Sequence, residues 1–207
     1  MIIELKNIGK KFNKEWIFRK IDYRFDLNNS YAITGANGSG KSTLLQIISG
    51  FVLPSEGEIL VTNDIDNKIV STNQLHQSIS ITAPYLELIE EMTAIEFLEF
   101  HFKFKKAINN ISNIEILQVV QLEKAVSKQI RFFSSGMKQR LKLAQAFFTS
   151  NSILLLDEPC YNLDKQGIQL YHQLISAYSN HRMIIICSND EVEYSFCNHK
   201  LELTKPL

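Results

Sequence analysis

The stretch that most restricts this chain is GANGSGKST, made of Gly35, Ala36, Asn37, Gly38, Ser39, Gly40, Lys41, Ser42 and Thr43. It is a complete G-x-x-x-x-G-K-[ST] pattern, and it follows the apolar run Tyr31-Ala32-Ile33 directly. The pattern carries meaning only between a strand and a helix, and Leu44, Leu45, Ile47 and Ile48 supply the helix. Its glycines let backbone amides turn inward around phosphates, and the helix N-terminus adds its dipole. Lys41 then faces the β- and γ-phosphates of a nucleoside triphosphate, and Ser42 offers its hydroxyl to Mg²⁺.

The 207 residues suffice for one α/β domain with a buried core, and leave no room for a fused membrane unit. Lys plus Arg balances Asp plus Glu at 22 each, so the net charge argues for no nucleic acid and no acidic membrane surface. Three cysteines, Cys160, Cys187 and Cys197, form neither a C-x-x-C pair nor a metal-ligand spacing, as expected of reduced thiols in the cytosol. The start MIIELKNIGKK places Glu4 and Lys6 where a signal peptide needs an apolar core, and no apolar run approaches the ~18 residues of a membrane span. Any membrane contact is therefore expected to come through another chain.

Short apolar runs at 79–82, 153–156 and 183–187 read as buried parallel strands. Segments 1–30 and 57–72 alternate and read as half-exposed antiparallel strands. The first helix is expected to end at Gly50, with Pro54 blocking its continuation. Residues 84–150 read as helices, with capping boxes at Thr93-x-x-Glu96 and Ser112-x-x-Glu115. Phe97, Phe100 and Phe104 share one helical face, which serves either as core or as a docking surface for a partner helix. The expected fold is a P-loop α/β core over 1–83 and 151–207, with an antiparallel β subdomain and an inserted helical lobe at 84–150, together one domain over 1–207.

A second constellation is Ile153-Leu154-Leu155-Leu156-Asp157-Glu158-Pro159, a buried strand delivering two carboxylates at the end where open α/β sheets place ligands. Asp157 is placed to hold Mg²⁺ and Glu158 to polarise the attacking water. A third is Phe133-Ser134-Ser135-Gly136-Met137-Lys138-Gln139-Arg140, whose Ser134 stands 23 residues before Asp157 and opens a helix. A helix N-terminus with a Ser hydroxyl and exposed amides is an anion site.

With these three motifs in this order, nearly the whole chain resembles an ATP-binding cassette (ABC) ATPase, FSSGM standing where the family has LSGGQ. The resemblance implies that ATP is the nucleotide and that Phe12 stacks on its adenine. It implies that Tyr161-Asn162-Leu163-Asp164 is the loop following the second carboxylate. It implies further that two cassettes pair head to tail as a homodimer or heterodimer, Ser134, Ser135, Gly136 and Met137 of one completing the site of the other. A separately encoded transmembrane permease subunit is the implied partner, with the cassette cytoplasmic and peripheral to the inner face of the cell membrane.

Two positions depart from the family pattern. Pro84, in Thr82-Ala83-Pro84-Tyr85, stands where the family offers a Gln, and proline has neither a polar side chain nor an N–H. Gln74 and Gln77 precede that strand and do not obviously replace it. Asn189, in Cys187-Ser188-Asn189-Asp190, stands where the family has a His that touches the γ-phosphate, and it cannot carry charge or exchange a proton. Slow hydrolysis with intact binding of ATP and Mg²⁺ is the expectation. Two alternatives to a transporter subunit stay open: a soluble nucleotide-gated ABC-type ATPase without transport, and a module that closes on ATP but scarcely hydrolyses it.

Overall fold

The structure, a computed structural model, describes residues 1–63 and 75–204. Its elements run β1 (Ile2–Phe12), β2 (Glu15–Asp26), β3 (Ser30–Thr34), α1 (Lys41–Ile48), β4 (Glu56–Thr62) and β5 (Ile79–Thr82). They continue with α2 (Ala94–Phe104), α3 (Asn113–Val119), α4 (Ser135–Phe147), β6 (Ile153–Asp157), α5 (Lys165–Tyr178), β7 (Met183–Cys187), α6 (Glu191–Tyr194) and β8 (His199–Glu202). Contacts divide the chain into two units, one of Met1–Ile79, Ser152–Asp157 and His181–Leu207, the other of Ser80–Asn151 and Glu158–Asn180. Strand β5 carries the chain from the first unit into the second.

In the first unit, β2, β1 and β4 form an antiparallel sheet in that spatial order. Alternation explains its one-sided burial: Ile3 and Leu5 are inside while Glu4 and Lys6 flank them, and Ile3 faces Phe25 on one neighbour and Val61 on the other. Truncating Phe25 to Ala would cost about 3–5 kcal/mol. Bulges between Leu5 and Ile8 break the simple alternation, with Asn7 at a φ of 51°. The expected strand over 57–72 is present as far as Thr62, and 64–72 lies outside the described residues.

Four strands of the same unit run parallel in the order β6-β7-β3-β8. Every residue of β3, β6 and β7 is buried, which is why their sequences ILLLD and MIIIC do not alternate. Polar β8 forms an exposed edge. Helix α1 packs against β6 and β7 through Leu44, Leu45, Ile47 and Ile48. Its C-terminus closes with Gly50 N–H donating to Ile47 O and Phe51 N–H to Gln46 O, at 3.1 and 2.9 Å.

The second unit is helical. Thr93 and Ser112 both form complete capping boxes, with Glu96 and Glu115 returning bonds of 2.8 Å to the cap N–H groups. Helix α4 packs against α2, α3 and α5. Helix α5 is capped by Asp164, whose Oδ1 accepts from Gly167 N–H at 2.8 Å. The Phe stripe of α2 divides: Phe97 is buried, whereas Phe100 and Phe104 are 39% and 74% exposed.

Candidate functional site

Strand β3 ends at Thr34 and the chain turns at once, Ser39 N–H donating to Ala36 O at 3.0 Å. Gly40 sits at a φ of 96°, where a Cβ would lie 2.5 Å from Ile17 Cγ2 and 2.7 Å from Phe18 Cδ1 on β2. Only glycine combines that dihedral with that approach. It begins α1 without a side-chain cap, so the amides of the first turn, including those of Ser42 and Thr43, stay available to an anion. Lys41 is 7% exposed and folds back over the loop, donating from Nζ to Gly35 O at 2.8 Å and Ala36 O at 3.4 Å. Ser39 Oγ is buried with no hydrogen-bond partner among the described residues. Uncapped amides, an ammonium and an unsatisfied hydroxyl together suit a polyanionic phosphate.

Strand register brings the other groups of this unit to the same edge. Cys187 stands opposite Ile33 on one side and Asp157 on the other, so β3, β7 and β6 end level with one another. Asp157 is 2% exposed at that end. The Cys187 thiol donates to Lys41 O at 3.3 Å and Ser188 N–H to Ile33 O at 3.2 Å. Asn189, the next residue, reaches the phosphate loop, its Nδ2 donating to Asn37 Oδ1 at 2.9 Å. Phe12 stands apart from these groups at the tip of the β1–β2 hairpin, 49% exposed, with Lys10 Nζ 4.9 Å from its ring centroid. That exposure removes it from the core.

In the second unit Glu158 is exposed and carries a φ of 43°, a left-handed backbone that a glutamate adopts at a cost of about 1–3 kcal/mol. Tyr161 N–H closes the turn onto Glu158 O at 3.0 Å. Ser134 caps α4, its Oγ accepting from Met137 N–H at 3.2 Å. An open depression of about 390 Å³ lies over this cap, lined by Ser134, Gly136, Met137, Arg140, Asn162 and Asp164. A Cβ on Gly136 would approach Asn162 O to 3.3 Å, so the small residue lets the first turn of α4 lie close to the Asn162 loop. Pro84 is half-buried in this unit. Gln77 lies exposed in a 3-10 turn, and Gln74 is outside the described residues.

Residues 18–161 match the ABC transporter family, a span that takes in the phosphate loop, Ser134–Met137 and both carboxylates. The chain belongs to the ABC transporter family. It is 32% identical over 204 residues to an uncharacterized ABC transporter ATP-binding protein, YybJ, of Bacillus subtilis (strain 168), covering 98% of this chain and 92% of that one. It is 30% identical over 189 residues to the cytochrome c biogenesis ATP-binding export protein CcmA of Reclinomonas americana, covering 90% and 83%. The dimeric structure of MJ0796, a bacterial ABC transporter cassette, superposes with a TM-score of 0.80 at 25% identity, covering 97% of this chain and 94% of that one. As a member of the ABC family the chain is an ATPase and the ATP-binding subunit of a transporter. The mixed α/β P-loop fold agrees with that of its structural neighbours.

Two contacts of this ABC subunit escape a motif search. Gln139, 3% exposed, donates from Nε2 to Pro159 O at 2.7 Å, beside Glu158. Its spacing of four from Leu143 puts it on the buried face of α4, and a polar residue there is a signal that a sequence offers. The second, between Asn37 and Asn189, joins residues 152 apart in sequence, a separation no local pattern encodes.

Proposed function

We propose that this ABC subunit binds MgATP through Gly35–Thr43 and Asp157, uses Glu158 as the base for the attacking water, and lends Ser134, Ser135, Gly136 and Met137 to the γ-phosphate held by a second cassette. The observation that supports this most is Lys41 Nζ folded onto Gly35 O at an uncapped helix N-terminus, on the sheet edge where Asp157 ends its strand. A donor set of one hydroxyl, Ser42, and one buried carboxylate, Asp157, fits Mg²⁺, which keeps waters and phosphate oxygens as its other ligands. Among the described residues no group of three His, Cys, Asp or Glu side chains forms a dedicated metal cage. Once bound, Mg²⁺ neutralises charge on the β- and γ-phosphates.

Hydrolysis by this chain proceeds slowly, because Pro84 offers no polar side chain and Asn189 neither a charge nor a titrating group at the γ-phosphate. Phe12, open on its hairpin tip, stacks on the adenine. The two units work as one cassette over residues 1–207.

Among the described residues no helix is long and apolar enough to cross a membrane. The proposed partner is a transmembrane permease, with the cassette at the cytoplasmic face of the membrane. Exposed Phe100 and Phe104, whose rings meet edge to face at 5.2 Å, form the surface on α2 that the permease covers. Calorimetry with MgATP tests the nucleotide site: Lys41→Ala should weaken binding about 10- to 100-fold, since a charged contact to phosphate is lost. Undiminished affinity would refute the assignment.

A further inference from the structure

Helix α4 grips the backbone of two loops with polar side chains that its opening motif does not explain. One grip is Gln139 on Pro159 O. The other is Lys142, whose Nζ donates to Ala83 O at 3.3 Å and to Pro84 O at 3.1 Å. Pro84 itself has neither a side-chain donor nor an N–H, so its carbonyl is the polar group by which another element can hold it. Ala83 O also accepts from Leu86 N–H at 3.2 Å, which makes residues 83–86 a small hydrogen-bonded turn.

The surroundings favour a fixed ammonium over a mobile one. Lys142 is half-buried, beside an open pocket of about 380 Å³ whose walls include Pro84, Glu87, Glu90 and Lys138. Glu90 is engaged by Lys138, so the second lysine pins the far side of the same stretch to the same helix. Burial, and then the charge of Lys138, hold the Lys142 ammonium below the ordinary lysine range, against the pull of Glu87. Lys142 stands eight residues beyond Ser134, about 12 Å along a rigid helix.

We propose that Lys142 is a positioning residue for ATP hydrolysis: it fastens the Ala83–Pro84 backbone to α4, so that this loop follows the helix whose N-terminus carries Ser134. The proposal rests on the reading of Pro84 as the active-site position where the family has a Gln. A lysine on a helix substitutes mechanically for a lost glutamine, holding the loop from below, where Pro84 has nothing to offer from within.

The test compares wild type, Lys142→Met and Lys142→Arg by steady-state phosphate release and by amide hydrogen exchange. Methionine keeps the stem and removes the charge. It should lower kcat about tenfold with KM for ATP held within about twofold. Exchange at Tyr85 and Leu86 should quicken while that of α4 stays unchanged, and arginine should restore most of both. Unaltered exchange at Leu86 would overturn the clamp. Quickened exchange with unaltered kcat would overturn its role in hydrolysis, and so would an arginine variant as slow as the methionine one. Loosening of all of α4 by methionine would reduce Lys142 to a packing residue and overturn the proposal. Wild type without turnover would count against hydrolysis by this chain, and exchange at Leu86 would still decide the clamp.

Discussion

Asn189 donates from Nδ2 to Asn37 Oδ1 across 2.9 Å, and so the residue after β7 and Ser188 is tied to the loop after β3. This contact anchors the neutral side chain on the loop proposed to hold the phosphates. An asparagine in that place holds a phosphate oxygen with at most a neutral hydrogen bond.

Asn189→His should therefore raise ATP turnover about 10- to 100-fold, because an imidazole makes a stronger, partly charged contact worth ~1–3 kcal/mol in the transition state. Asn189→Ala should fall below wild type. Phosphate release measured for the three decides the matter, and equal rates would remove this position from the chemistry.

The second unit carries a pH-dependent element in His101 of α2. Burial first, and then Lys105, push the His101 imidazole down to about 4, while the Gln145 carbonyl pulls the other way. Its Nε2 lies 2.9 Å from Thr149 Oγ1. The folded value lies below the unfolded one of about 6.5, so the unfolded chain takes up the proton first. Stability is fully present above pH ~6.5 and is lost as pH falls towards ~4, by about 2–3 kcal/mol. His101→Gln should flatten the melting temperature across that window. A slope identical to wild type would assign the acid sensitivity elsewhere.

Phe104 is predicted to act on the partner and not on the fold. At 74% exposure, Phe104→Glu should change stability by less than about 0.5 kcal/mol. Co-purification with the permease from mild detergent should drop while ATP affinity holds. A variant that loses its fold would return this ring to the core.

Much of this was legible because it is local. GANGSGKST between two apolar runs carries its own strand and helix, fully buried strands announce themselves by unbroken apolar runs, and both capping boxes formed as their spacing predicts. Exposure of the Phe stripe was not legible, since a helical face reads alike whether another helix covers it or not; Phe97 went inside and Phe104 outside. The bulges of the β1–β2 pair escaped as well, because Asn7 on β1 and Lys20 on β2 take left-handed backbones that no alternation encodes. Contacts such as Lys142 with Pro84 O join residues 58 apart, and only the packed unit brings them together.

In the proposed cycle ATP joins two copies of this site, each completed by Ser134–Met137 of the other. Glu158→Gln should preserve ATP binding and stop hydrolysis, so that the closed pair accumulates. Sedimentation velocity of Glu158→Gln with saturating MgATP measures this directly. The mass should double with ATP, and the doubling should be absent without nucleotide and abolished by Ser134→Arg in the same chain. A single-chain mass at every ATP concentration, with nucleotide bound by calorimetry, would contradict it.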